Sequence, residues 1–221
     1  MHKNWQLFFK DLSQNNNRQW FQAHRDEYQQ IREEFRDDLS RLLAYMSEYE
    51  PAFARLDAKD LIFRVNRDIR FSPDKSPYKT YISASVAPLG RKSPEAGYYI
   101  HADFRRGESG LYGGIWHPEN ANLKKLRKAI DDNFEEFEEI VNEPELVKYF
   151  PGWFGEMLKT APQGYPKEHP AIYYLRMKDI GKFHAVAPSF FADPSWPEKA
   201  AEILRPLNPL MRFINYSLFE E

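Results

Sequence analysis

Apolar residues open the chain at helical spacing. Trp5, Phe8, Phe9 and Leu12 fall on one face and stop at the polar run Ser13-Gln14-Asn15-Asn16-Asn17. Asn17 is placed to cap a longer helix. In it Trp20, Phe21, Tyr28, Ile31, Phe35, Leu39, Leu42, Leu43 and Met46 form one stripe that ends before Pro51. The charged positions between them, among them Arg32, Glu33, Arg36 and Asp37, read as its solvated face.

From Leu61 the period changes to two. Leu61, Phe63, Val65, Ile69 and Phe71 alternate with Ile62, Arg64, Asn66, Asp68 and Arg70, which predicts a strand. Further strands are expected at about 80–87, 97–104 and 111–116, with Pro88, Gly90, Gly107 and Gly110 in the connections. Arg106-Gly107-Glu108-Ser109-Gly110 reads as a hairpin turn. Successive strands with short links imply a mostly antiparallel sheet. Helical spacing returns through Leu123, Leu126, Ala129 and Ile130 and again through Phe134, Phe137, Ile140 and Val141, which can cover that sheet. A Pro/Gly-rich connection at 160–166 leads to a short segment at 169–175, one more strand is expected within 177–186, and a last helix over 197–213 must tolerate or kink at Pro206. The fold class is therefore α+β, a mostly antiparallel sheet with helices before and after it in sequence and packed on it. No solenoid-like repeat and no linker interrupts the 221 residues, so the reading is a single domain over 1–221.

Composition narrows the class. With 42% hydrophobic and 29% charged residues the chain can bury a core and is not of disordered type. The absence of Cys excludes disulfides, thiolate catalysis and Cys-ligated zinc, and fits a reducing compartment. Met1-His2-Lys3-Asn4-Trp5 is not followed by a long apolar run, and nowhere do about 18 apolar residues follow one another, so neither secretion nor membrane spanning is expected. The expectation is a cytoplasmic protein without a membrane partner. A formal net charge of −2 argues against a surface that attracts nucleic acid everywhere, so any anion site must be local.

One stretch supplies such a locality. Between Arg64 and Lys79 five cations, Arg64, Arg67, Arg70, Lys75 and Lys79, meet two carboxylates, Asp68 and Asp74, a local balance of +3. Alternation places Arg67 on the apolar side, where a guanidinium needs a carboxylate or a bound anion. Arg64 and Arg70 project from the other side. Ser72-Pro73 has the form of an N-cap followed by the first helical position, with Lys75 and Tyr78 just after it. Planar Arg forks, a Lys and a phenol suit phosphate or carboxylate, which makes Arg64, Arg67, Asp68, Arg70, Lys75 and Tyr78 the candidate ligand-binding residues. The same residues can instead form a lock, with Asp68 and Asp74 pairing to Arg67, Arg70 or Lys75 inside the protein.

The stretch fits R-x-x-R-D-x-R-F-x-x-D-K-x-x-Y, with Arg64, Arg67, Asp68, Arg70, Phe71, Asp74, Lys75 and Tyr78 at its fixed positions. It resembles the signature of an uncharacterised, mainly bacterial family, domain of unknown function 2461. The resemblance extends to Asn15-Asn16-Asn17-Arg18-Gln19-Trp20-Phe21, to the segment from Lys92 to Tyr99 and to Gly113-Gly114-Ile115-Trp116, nearly end to end. It implies no activity.

Weaker signals remain. His101 and Asp103 lie two apart in an expected strand and share a face, so they are candidate catalytic residues for proton transfer, although an exposed polar face explains them equally. His117 and His169 each precede Pro, and local hydrogen bonding accounts for either. Gly113-Gly114 inside a strand pattern suggests a bulge, or close approach by another backbone or a ligand. Phosphate-loop, dinucleotide, zincin and serine-hydrolase motifs do not occur, the six His are scattered, and no metal or cofactor is named. Two functions follow. In one, the chain binds a small phosphorylated or carboxylated ligand, as an enzyme if His101, Asp103 or Tyr78 moves a proton. In the other, the same cations beside Phe71, Tyr78, Tyr81, Tyr98, Tyr99 and Trp116 hold single-stranded nucleic acid or an acidic protein segment. A pocket around Arg67 and Arg70 favours the first, a shallow groove with outward rings the second.

Overall fold

The computed structural model describes residues 3–104 and 108–219. Helix α1 (Lys3–Gln14) buries Trp5, Phe8, Phe9 and Leu12, the stripe expected of it. The Asn17 side chain then accepts from the Trp20 N–H at 2.9 Å and starts α2 (Arg18–Ala23). The expected long helix is divided here. His24 leaves helical geometry, its Nδ1 2.8 Å from the Trp20 carbonyl and its ring stacked on the indole at 3.9 Å, before α3 (Arg25–Met46) continues the apolar stripe. Pro51 opens a 3₁₀ turn (Pro51–Arg55), and Asp57 caps the short α4 (Ala58–Leu61).

Four strands, β1 (Tyr81–Val86), β2 (Gly97–Asp103), β3 (Gly110–Ile115) and β4 (Ile180–Ala185), form one antiparallel sheet in the order β1-β2-β3-β4. The turn expected between β2 and β3 includes Arg106 and Gly107, which lie outside the described residues. Between β3 and β4 come α5 (Asn120–Asp132), α6 (Phe134–Val141), α7 (Pro144–Tyr149) and α8 (Ile172–Leu175). After β4 come α9 (Trp196–Leu204) and α10 (Asn208–Phe219), with Pro206 in a 3₁₀ turn between them, so the expected last helix is broken there.

The sheet has two different faces, because alternate residues of each strand point oppositely. Ile82, Ala84, Val86, Tyr98, Ile100, Leu111 and Ile180 are buried on the side where α9 and α10 lie against β3 and α3 lies against α9. These residues and the helix stripes join in one hydrophobic core running from Trp5 to Leu218. Ser85, Tyr99, His101, Tyr112 and Phe183 occupy the other face.

Three local expectations are corrected. The alternating segment 61–71 is not a strand of the sheet; it makes isolated bridges, Ile62 to Ala84 and Asn66 to Tyr78. Lys79 N–H donates to the Val65 carbonyl at 2.8 Å and Arg67 N–H to the Pro77 carbonyl at 2.9 Å, so residues 65–67 and 77–79 form two short arms. Pro73 and Pro77 supply no N–H to extend the pairing, and Ser72-Pro73 begins no helix. Gly113-Gly114 forms no bulge: both glycines keep register with β2 and β4. A Cβ on Gly114 would fall 2.2 Å from the Ile180 carbonyl oxygen, so close backbone approach is what excludes a side chain.

Candidate functional site

The signature residues make a self-closed loop. The Arg67 guanidinium, 26% exposed, donates from Nη1 to Asp74 at 2.6 Å and to the Ser76 carbonyl at 3.0 Å, and from Nη2 to Ser72 Oγ at 3.3 Å. Asp74 also accepts from the Ser76 hydroxyl and N–H; these bonds, with the Arg67 charge, hold its carboxyl down at about 2. Arg70, 76% exposed, forks onto Asp68 at 3.0 and 2.6 Å, which lowers Asp68 to about 2. Lys75 Nζ donates to the Ile69 carbonyl at 3.0 Å. Tyr78 faces away from this loop. Its ring stacks on Phe21 at 4.0 Å, and the Asn16 amide takes both its backbone groups, at 2.8 and 3.0 Å. Two segments that carry the family resemblance are thereby fastened together. Phe71, at the loop tip, is 94% exposed.

A cleft of about 740 Å³ lies elsewhere, on the open face of the sheet. Ser85, Tyr99, His101, Tyr112 and Gly181 line its floor, with Phe63, Glu95, Glu108, Trp116, Glu119 and Phe154 around it. Arg64, Arg67, Asp68, Arg70, Lys75 and Tyr78 do not line it. Its rim beside Phe63 is nevertheless cationic. Lys79 Nζ sits 5.1 Å from the Phe63 ring centre and 5.7 Å from that of Tyr81, and the Arg91 guanidinium lies 5.1 Å from Phe63. Arg91 is anchored through Nε to the Asp60 carbonyl at 3.1 Å. Burial first, and then the charges of Arg64 and Arg91, push the Lys79 ammonium below its ordinary value. Among the described residues no carboxylate pairs with Arg64, Lys79 or Arg91.

His101 lies next to that rim. Its ring is 4.3 Å from Tyr81, centre to centre, and its Nδ1 shares a 3.2 Å hydrogen bond with the Tyr99 hydroxyl. Burial lowers its pKa, with Asp103 and Glu108 opposing and Lys79 adding to the shift, so the imidazole is neutral at pH 7. Burial also pushes the Tyr99 phenol up to about 12, so it remains a hydroxyl. Asp103 shares the His101 side of β2 and is buried; its backbone N–H and carbonyl both bond Ser109 Oγ, at 3.0 and 2.8 Å.

The far wall is set by a sharp exit from β3. His117 adopts a left-handed backbone (φ 47°), and its N–H donates to buried Asp179 at 2.7 Å. The other Asp179 oxygen accepts from Glu156 N–H at 3.1 Å, which draws the 154–157 segment to the same point. Trp116 and Phe154 stack there at 5.0 Å, and α5 begins beside them. His169 is held locally, between Asp131 at 2.9 Å and the Ala171 N–H at 3.1 Å. Among the described residues no group of three or more His, Cys, Asp or Glu side chains could hold a metal, and no helix is long and apolar enough to cross a membrane.

A family model described as Conserved hypothetical protein (DUF2461) matches residues 4–213. The chain belongs to that family. No curated protein and no solved structure matches it. In this DUF2461 chain, Phe63, Tyr112, Phe154 and Glu119, which the candidate site of the sequence does not include, line the cleft, and Lys79 and Arg91 lie over Phe63 beside it. Lys79 was within reach, as the last cation of the charged stretch, and Trp116 adjoins the paired glycines. Arg91 and Phe154 carried no local signal.

Proposed function

We propose that the protein binds a small phosphorylated or carboxylated molecule in the cleft on the open face of the sheet, with Lys79, Arg91 and Arg64 receiving the anionic group. The observation that carries this reading is that Lys79 and Arg91 both lie over Phe63, with Arg64 near enough to act on Lys79 and no carboxylate partner for any of the three among the described residues, beside a cleft whose 740 Å³ falls in the range of small-molecule sites. Neutral His101, hydrogen-bonded to Tyr99 and adjoining the rim, is a group able to accept a proton from a ligand seated there. Arg67 and Asp74 then position the receptor: their ion pair closes the loop whose two arms, 65–67 and 77–79, follow Arg64 and carry Lys79. Glu95, Glu108 and Glu119 around the cleft disfavour a threaded polyanion and support a small ligand over single-stranded nucleic acid.

A thermal-shift screen with phosphorylated and carboxylated metabolites tests this, because a ligand specific for the folded state raises the melting temperature. The expected hits lose their effect in Lys79→Met and Arg91→Met and keep it in Arg70→Ala. Stabilisation that survives both cleft variants, or none from any anion, contradicts the reading. A second reading attaches to the loop tip, where exposed Phe71 stands between exposed Arg70 and Lys75 and suits an acidic protein segment. It predicts binding of an acidic peptide that Phe71→Ala removes and Lys79→Met leaves intact.

A further inference from the structure

A second cavity, of about 350 Å³, lies on the helix-covered side of the sheet, between the 3₁₀ turn at Pro51–Arg55, the start of β2 and α10. That volume is large enough for a small molecule. Its polar end is built around Tyr98. The side chain is 1% exposed, yet its hydroxyl makes no hydrogen bond with the described residues, although Asn208, Glu50 and Arg212 are all near enough to act on it. A buried phenol ordinarily finds a partner, and one left without costs free energy. Glu50, with a side chain 20% exposed, is scarcely better served. One of its carboxylate oxygens has neighbours, Asn208 Nδ2 at 3.5 Å and Arg212 Nε at 3.7 Å, both at or beyond the reach of a hydrogen bond.

The other polar residues of the wall are engaged. Asn215 is spent on the Ala96 backbone, accepting from its N–H at 2.7 Å and donating to its carbonyl at 3.2 Å. Glu95 accepts from the Ser93 hydroxyl at 2.6 Å and the Leu89 N–H at 3.2 Å. Bonding capacity is therefore left over at one place, where Glu50, Tyr98 and Asn208 meet. A carboxylate accepts only, and a hydroxyl and an amide oxygen also accept, which suits a primary ammonium, a group with three N–H donors and no acceptor. Beside them Arg212, its side chain 65% exposed, offers the rest of its guanidinium fork to a carboxylate. An acceptor cluster and an arginine side by side complement a ligand whose ammonium and carboxylate stand on one carbon. Buried Phe53 and Met211, with Phe219 further out, give the remainder of the cavity an apolar wall.

We infer that this cavity binds an α-amino acid with an apolar side chain: its ammonium at Glu50, Tyr98 and Asn208, its carboxylate at Arg212, and its side chain against Phe53, Met211 and Phe219. The inference does not rest on the anion reading of the cleft, since it uses none of Arg64, Lys79 and Arg91. Calorimetry on the full chain tests it, with leucine and methionine as probes and three compounds that each lack one part of leucine: 3-methylbutylamine without the carboxylate, 4-methylpentanoate without the amine, and glycine without the side chain. Leucine or methionine is expected to bind saturably and at least about tenfold more tightly than each of the three, because every truncation leaves a protein group unmatched. Tyr98→Phe and Glu50→Gln should weaken the amino acid by about tenfold or more. Arg212→Gln should bring leucine to the level of 3-methylbutylamine and leave that amine within about twofold, and Lys79→Met should change neither. Arg212→Gln, at an exposed side chain, carries the test if Tyr98→Phe or Glu50→Gln does not fold. No saturable binding of leucine or methionine, an amine or a carboxylate that binds as tightly as the amino acid, or binding indifferent to Arg212→Gln overturns the inference and leaves the reading of the cleft standing.

Discussion

Lys182 puts an ammonium on the helix-covered side of β4, 2% exposed, with Nζ 3.0 Å from the Phe150 carbonyl and 4.3 Å from the Trp153 ring centre. Burial pushes it from 10.5 down to about 8. Between those values the unfolded chain binds the extra proton, so the native state gains stability as pH rises from about 8 to 10.5 and carries the full penalty below 8. Lys182→Met should therefore raise unfolding free energy at pH 7 by on the order of 1–2 kcal/mol, after the loss of the bond to Phe150. That advantage should shrink steadily across pH 8–10.5 in urea titrations of both proteins. A difference that stays constant with pH would contradict it. At this scale the sequence was informative wherever a residue's need was local. Arg67 required a partner and has Asp74, and Asn17 caps a helix as expected. Lys182 gave no such sign, because in an alternating segment a lysine reads as the outward position.

At the scale of elements, the connection from β3 into α5 decides the shape of the cleft. His117 holds a backbone conformation that favours glycine, and the two N–H bonds to Asp179 keep it there while drawing in the chain next to Phe154. Asp179→Ala removes the charged acceptor of two part-buried N–H groups and should cost about 2–3 kcal/mol of unfolding free energy. His117→Gly removes the steric strain and should be neutral or stabilising by up to about 1 kcal/mol. Equal destabilisation by the two would show that the turn is not strained. Asp179 was invisible to sequence reasoning for a physical reason: its partners are main-chain groups, which no residue pattern announces. The segment 61–71 misled for the opposite reason. Its residues do alternate between sides, as the pattern says, yet they alternate as an arm bridged at Ile62 and Asn66 and not as a ladder of the sheet. The four strands that do pair lie close to where turn residues and period placed them, since one of their faces is buried and fixes the alternation.

Over the whole molecule, the helices before and after the sheet meet on one side of it and share one core, leaving the other side to the cleft. We propose that the chain unfolds as a single unit, so the urea curves for wild type and Lys182→Met should coincide whether followed by tryptophan fluorescence or far-UV circular dichroism. This arrangement also explains why the candidate site was legible only in part. The charged stretch stood out in the sequence, but within its loop Arg67, Arg70 and Lys75 bond to Asp74, Asp68 and the Ile69 carbonyl, and of its cations only Lys79 lies over Phe63, with Arg64 near enough to act on it. Arg91 joins them from a separate connection. The central claim is that anions are received at this rim and not at the loop tip. Backbone amide shifts mapped by NMR during a titration with ribose 5-phosphate test it most directly. The account predicts a saturable response at Arg64, Lys79, Tyr81, Tyr99, His101 and Arg91, with Arg70 to Lys75 unmoved; a response confined to Arg70 to Lys75, or none at the rim, would contradict it.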